Sequence, residues 1–410
     1  MPRNGRRRPA FPRMTLPFDV ADLARSPNAL AAYYSRFRVA ERLLLTGHSH
    51  QAWPDVGFEG QIEAWNDAAD LVDEKWSRAL ARADRVRGGF AELLGCPAAE
   101  IALGASTHDL LVRWLSALDL GRRPRLVTTD GEFHTVRRQL DRLAEEGVEI
   151  VKVPSSPAAS VAERLGAAAD DRTAAVLVSA VLFANAHIVP HLDAVAARCR
   201  AVGTELLVDA YHALNAVPFR LESLGLAEAF ITGGGYKYCQ LGEGNCFLRV
   251  PPERDLRPVV TGWFSEFAEL ERSPRGGVEY GKGPARFAGA TYDPTSHYRA
   301  ARVFDFFREH TLSPELLRDV SRHQVGLLAA RFDALDLDPR VISRDRAVPL
   351  DGVAGFLALR SPRAPDLARA LKARGVLTDV RGDLLRLGPA PYLSDRQLEA
   401  AMDALHKSVT

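Results

Sequence analysis

The chain has 410 residues, a formal net charge of +1, 47% hydrophobic and 26% charged residues. That length exceeds one ordinary core and implies two domains, or one large domain with a smaller appendage. The near-zero charge excludes a nucleic-acid binder driven by bulk charge, and no apolar run approaches the ~20 residues a membrane helix needs, so neither partner is expected.

The chain begins with a basic stretch (Arg3, Arg6, Arg7, Arg8, Arg13) and no apolar run behind it. This excludes a secretory signal of the usual kind. Residues 1–17 are read as a disordered tail, Met14 as a candidate start and the cytoplasm as the default compartment. The four cysteines, Cys96, Cys199, Cys239 and Cys246, form no CxxC pair. They suggest neither a zinc site nor a disulfide framework, and no metal is expected.

Apolar spacing through Leu23, Leu30, Tyr34 and Phe37 predicts a helix over 18–45. Within it, Leu43-Leu-Leu45 reads as a short strand that ends in the turn Thr46-Gly-His-Ser49, closed by Pro54. Residues 58–94 alternate helical patches, and Gly95 is a plausible C-cap. From Ile101 the pattern becomes α/β. Strands are predicted over 101–107, 125–129, 149–153, 174–179, 205–209 and 229–232, with an edge strand over 246–250. Helices are predicted over 108–118, 136–146, 157–168 and 191–202. The strands are near-continuous apolar runs, as expected where helices cover both faces of a mainly parallel sheet.

Residues 251–295 break the rhythm with Gly, Pro and charge, and long irregular segments are often functional. Helices then run to about residue 335. Strands over 356–360, 376–380 and 384–387, with helices over 365–373 and 394–407, imply a small α+β C-terminal domain. The expected organisation is a segment over 18–60 packing with that small domain, a large domain over 61–295 and the small domain over 296–410.

The stretch that carries chemistry is Val208-Asp-Ala-Tyr-His212, followed by Gly233-Gly-Gly-Tyr-Lys-Tyr238. Asp209 ends an apolar strand, where ligands of open α/β sheets bind, although such an aspartate is often only a cap. Lys237 follows an apolar strand in a Gly-rich, Tyr-flanked turn, a placement that desolvates an amine and lowers its pKa. A Schiff-base lysine paired with an acid for a ring nitrogen suits pyridoxal phosphate (PLP). Ser106 and Thr107 open a helix; such a pair is more often an ordinary cap, and a helix N-terminus also attracts anions. His212 reads either as a satisfied core histidine or as a group facing a cofactor.

Tyr236-Lys-Tyr-Cys-Gln-Leu-Gly-Glu-Gly244, behind Asp209-Ala-Tyr-His212, resembles the kynureninases, within the class V aminotransferase group of fold-type I PLP enzymes. Thr46-Gly-His-Ser49 resembles that family's N-terminal Gly-Asn-Ser turn, Gly262-Trp-Phe264 its Gly-Trp-Phe block, and residues 376–391 its C-terminal strand pair. The resemblance implies fold type I: a large domain with a mainly parallel sheet and a small α+β domain. It implies a PLP-dependent hydrolase that cleaves the Cβ–Cγ bond of L-kynurenine or a related γ-carbonyl amino acid, as in tryptophan catabolism. An aminotransferase or C–S/C–C lyase of the same group is the alternative.

The resemblance also assigns roles. Lys237, Tyr236 and Asp209 would be catalytic. Ser106 and Thr107 would hold the phosphate, Phe133 or His134 would stack on the ring, and Ser179 would reach the ring hydroxyl or the phosphate. His212 and Tyr236 would approach the ring and phosphate. Trp263 and Thr291 would come from a second copy, making a homodimer with shared active sites. Arg386, with His48 and Ser49, would bind the amino-acid substrate. Three features depart from the family. His48 replaces an asparagine, Thr129-Asp-Gly-Glu-Phe-His134 resembles the Glu-His-His run of cysteine desulfurases, and Gly289-Ala-Thr291 resembles the Gly-Thr turn of other class V members.

Overall fold

Seven strands build one sheet in the computed structural model, which describes residues 18–269 and 277–409. The tail 1–17 and the candidate start Met14 lie outside the described residues. In chain order the first eight strands are β1 Leu43–Leu44, β2 Ile101–Gly104, β3 Arg125–Thr129, β4 Glu149–Val153, β5 Thr173–Ser179, β6 Glu205–Asp209, β7 Phe230–Gly234 and β8 Cys246–Arg249. The large sheet runs β2-β8-β7-β6-β5-β3-β4. Strands β3 to β7 pair in parallel, and β8 is antiparallel to both its neighbours.

Alternation along the strands explains the layers. Val176, Val178, Leu206, Val208 and Ile231 face one core with Val86, Phe90, Val161, Leu165 and Val195. Leu126, Ala175, Leu177, Leu207 and Phe230 face the other with Leu110, Trp114, Val136 and Leu140. Burying each such aliphatic side chain stabilises by about 1.5–3 kcal/mol. Helices therefore cover both faces, the α/β arrangement expected from the apolar runs.

A second, antiparallel sheet follows, ordered β12-β13-β10-β9. Its strands are β9 Ser343–Arg344, β10 Leu357–Arg360, β12 Asp379–Arg381 and β13 Leu384–Leu387. β11, Val376–Leu377, pairs in parallel with β1 and ties the N-terminal segment to the C-terminal part. Among the described residues no helix is long and apolar enough to cross a membrane.

Two expectations are corrected. Residues 18–45 do not form one helix. Val20–Ala24 is helical, and then come two short 3-10 turns, Ala31–Phe37 and Val39–Glu41, split by Arg38 at φ 50°. Pro27, which lacks a backbone donor, sits where the first helix would have to continue. The strand at 246–250 is not an edge. β8 lies between β2 and β7, and all four of its residues are buried.

Candidate functional site

The carboxyl ends of β5 and β6 place Ser179 and Asp209 side by side, in register. The turn after β7 places Lys237 above them. This turn is closed by backbone bonds from Gly235 N to Asn245 O at 2.8 Å and from Leu241 N to Gly235 O at 2.9 Å. Its glycines are steric necessities. A Cβ on Gly234 would lie 2.2 Å from the Tyr211 hydroxyl, and one on Gly235 would lie 2.5 Å from Leu241 Cδ1. Gln240 anchors the turn from outside, donating to Gln51 Oε1 at 2.8 Å and accepting from the Tyr34 hydroxyl.

These elements enclose a cavity of about 320 Å³. Of the residues singled out by the sequence, Ser106, Thr107, Phe133, Ser179, Asp209, His212, Tyr236 and Lys237 line it. Ser106 caps the helix Thr107–Ser116, its hydroxyl accepting from Asp109 N at 3.1 Å. The positive end of that helix therefore opens on one end of the cavity.

The electrostatics follow from burial. Lys237 is 8% exposed, and its Nζ donates to the His48 carbonyl at 3.2 Å. Burial, with Arg386 adding to it and Asp209 opposing, pulls its amine down to about 8. Burial pushes Asp209 up to about 6, against the hydrogen bond its Oδ1 accepts from Tyr211 N at 2.8 Å and the charge of Lys237. Burial also drives His212 well below its ordinary value, so its ring is neutral. His212 Nδ1 and Thr107 Oγ1 are buried without hydrogen-bond partners. Lone buried polar atoms cost free energy, so they point to groups that a ligand satisfies.

The cavity therefore suits an anionic, aromatic, carbonyl-bearing ligand. It has a helix N-terminus and an unpartnered hydroxyl at one end, the Phe133 ring on its wall, and Asp209 and Lys237 at its floor. The chemistry of this donor set fits PLP.

Six candidates do not line the cavity. His134 is exposed at its rim, with its ring 5.7 Å from that of Phe183, so Phe133 is the aromatic that faces inward. Trp263 is 44% exposed. Thr291 lines a neighbouring cavity, which shares Ala105 and Gly244 with the first. His48 and Arg386 are buried beside the cavity in a cluster of their own. Ser49, only half-buried, lies next to them, its hydroxyl 3.2 Å from His50 Nδ1.

That cluster turns on Asp379. Arg386 donates to its Oδ2, Arg381 Nη1 lies 2.9 Å from its Oδ1, and His48 Nε2 is 3.5 Å from its Oδ2. Burial opposes ionisation of Asp379, yet His48 and the two guanidinium groups hold it well below the usual carboxylate range. Arg386 also donates to the carbonyl of Phe183, a cavity residue, while its Nε is buried without a partner. Arg386 is thus a buried, internally paired side chain rather than a surface salt bridge. His48 packs on Phe356 with centroids 4.5 Å apart, and burial pulls it down to about 4.

Sequence reasoning missed Asp379 and Glu132. The signal for Asp379 was available: it faces Arg386 across the hairpin of β12 and β13. Glu132 enters the sequence reading only within the run Thr129–His134, with no role, yet it is 3% exposed and hydrogen-bonded to Ser179. Tyr211, Phe183 and Cys246 also line the cavity.

No protein-family model matches the chain. An uncharacterized aminotransferase, YcbU of Bacillus subtilis, is 25% identical over 356 residues, covering 84% of this chain and 88% of its own. A kynureninase of Deinococcus radiodurans is 26% identical over 350 residues, covering 81% and 78% respectively. Among solved structures, a C-DES variant with glycine covalently linked to its PLP cofactor superposes with a TM-score of 0.79 at 14% identity, covering 92% of this chain and 98% of that one. A cysteine desulfurase of Thermococcus onnurineus superposes with a TM-score of 0.76 at 16% identity, covering 90% and 95%.

Proposed function

We propose that this chain, a class V aminotransferase-like enzyme of fold type I, is a PLP-dependent hydrolase acting on an L-amino acid with a γ-carbonyl, L-kynurenine or a close analogue. The observation that carries the reading is Lys237, a buried amine with a lowered pKa, set with Asp209 on the lining of one cavity of about 320 Å³. What PLP supplies when bound is an aldehyde for condensation with amines and a protonated ring that drains electrons from bonds to the substrate α-carbon.

The chain's own groups have the following roles. Lys237 is the attachment point and afterwards moves the α-proton as a free amine. Asp209 holds a proton on the ring nitrogen. The N-terminus of the helix Thr107–Ser116, with the Ser106 and Thr107 hydroxyls, holds the phosphate. Phe133 would stack on the ring, and His212 would approach the ring and phosphate. Arg386 turns its unpartnered Nε to the substrate carboxylate, supported by His48 and Ser49. Tyr236 delivers a proton while water attacks the γ-carbonyl and the Cβ–Cγ bond breaks, leaving alanine and an anthranilate-type acid.

Trp263 and Thr291 reach the active site of a second copy in a homodimer. The apolar side chains exposed around them, Val259, Val260 and Phe267, support that assignment. A monomeric holoenzyme in sedimentation analysis would refute it.

The alternative is an aminotransferase or lyase of the same group. It is favoured by the turn Thr129-Asp-Gly-Glu-Phe-His134 and by the aminotransferase-named relative. Incubating the PLP-loaded enzyme with L-kynurenine and 3-hydroxykynurenine decides between them. Alanine with anthranilate is the expected outcome. Accumulation of aminated cofactor from amino donors, with no anthranilate, would select the alternative.

A further inference from the structure

Glu132 is a buried carboxyl that the proposed reaction does not use. It lies in the turn after β3 and reaches across to the end of β5. Its Oε2 accepts from Ser179 Oγ at 2.6 Å. Its Oε1 accepts from Ser179 N at 3.2 Å and from Thr129 Oγ1 at 2.7 Å. These partners are all neutral. Ser179 is the register neighbour of Asp209, and both line the cavity. Glu132 thus stands behind the floor that Asp209 helps form, in contact with it through Ser179, the backbone neighbour of Asp209.

A purely structural reading has Glu132 only tying the β3 turn to β5. The hydrogen-bond inventory goes further. A hydroxyl has one proton to give. While Glu132 is ionised, Ser179 spends that proton on it and presents only lone pairs to the cavity. Once Glu132 takes a proton, it can donate to Ser179 Oγ and free the serine proton to point into the cavity. We propose that Glu132 is a positioning residue that sets whether Ser179 meets the cofactor ring as a hydrogen-bond acceptor or as a donor. The change is one proton taken from solvent by the carboxyl and the rotation of one hydroxyl. No other bond forms or breaks.

The surroundings make this proton exchangeable near neutrality. Burial pushes Glu132 up to about 7. The bonds from Ser179 and Thr129 oppose that shift, and the charge of Asp209, on β6, adds to it. Lys237 faces Asp209 from the turn after β7 and lends its charge to that partner. A ring oxygen that has lost its proton calls for a donor, and one that keeps it calls for an acceptor. The same serine serves both.

The inference rests on the PLP reading, and its test separates the two. The PLP-loaded full chain is titrated by absorption across neutrality. The wild type should show a spectral transition with its midpoint near the Glu132 value of about 7. Glu132→Gln and Ser179→Ala should each remove that transition while keeping the Lys237-dependent band. The double variant should add nothing. Each single change should also weaken PLP binding by the apo chain about 2–10-fold, read by tryptophan fluorescence. Thr129→Val deletes one donor to the ionised carboxyl and should move the midpoint to higher pH. It carries the test if Glu132→Gln does not fold. A transition that persists unmoved in Ser179→Ala and Thr129→Val overturns the proposal. A wild-type chain that takes up no PLP, or a band that survives Lys237→Ala, overturns the cofactor reading and this inference with it.

Discussion

The two ends of the candidate site are built in different ways. The cofactor end comes from adjacent strand ends of a single sheet: Ser179 on β5, Asp209 on β6 and Lys237 just after β7. Backbone ladders hold these groups, and burial dominates their ionisation. The substrate end gathers three segments far apart in sequence: the turn at His48, the carbonyl of Phe183 and the hairpin of Arg386. One acid, Asp379, touches both His48 and Arg386. The first end inherits its rigidity from the fold, whereas the second depends on a single side chain. Changes at the cofactor end should therefore abolish chemistry, and changes at the substrate end should grade it.

The contrast can be broken or sharpened by substitution. Lys237→Ala is expected to remove the near-visible absorption band and to lower kcat by about 10²–10⁴-fold. A yellow, active variant would end the assignment. Asp209→Asn should keep the cofactor bound while kcat falls roughly 10²–10³-fold, the scale of losing one preorganised electrostatic partner. Arg386→Lys should leave the absorption spectrum alone and raise KM about 10–100-fold, because one ammonium cannot pair with Asp379 and the Phe183 carbonyl and also donate to the substrate. Asp379→Asn should move KM in the same sense and to a smaller degree. A spectral change in either variant would mean that the two ends are not separable.

The pH dependence reads the cofactor end, with Arg386 contributing from the substrate end. Burial and Arg386 lower the Lys237 amine to about 8. The lysine is protonated and unreactive below that value and free above it. The rate of PLP uptake by the apo chain should therefore rise with pH and level off above about 8. A flat profile through that region would contradict the burial of the amine. The smallest contrast is at the rim. Phe133→Ala should weaken PLP binding about tenfold through lost ring contact. His134→Ala, at an exposed position, should stay within about twofold.

The sheet was legible because its central parallel strands, buried on both faces, leave near-continuous apolar runs, and helices between them leave a 3.6-residue period. The same rule contained the correction at β8. Cys246-Phe-Leu-Arg249 has no polar alternation, which marks a strand covered on both sides, and Arg249 conceals this by pairing inside with Glu100. At 18–45 the apolar spacing fits a helix, but Tyr34 and Leu30 bury themselves from short 3-10 turns. Spacing alone cannot tell those turns from a continuous helix. Asp209 and Lys237 were legible because strand ends and glycine turns are local. Glu132 was not, because it acts through Ser179, which only the tertiary fold brings near, and although Asp379 stood opposite Arg386 across a local hairpin, its second partner, His48, comes from far away in the chain.

Strand β2 has one neighbour in the sheet, β8. β2 also leads directly into the helix whose N-terminus opens on the cavity. During vectorial synthesis, β2 leaves the ribosome long before its only partner exists. The anion-holding end of the cavity therefore cannot be seated until residues 246–249 have emerged, after Lys237 itself. Non-local pairing of this kind is slow and leaves an edge exposed in the interim. The nascent chain thus completes its floor first, and the end of the cavity proposed for the phosphate is seated only once the antiparallel strand slots in.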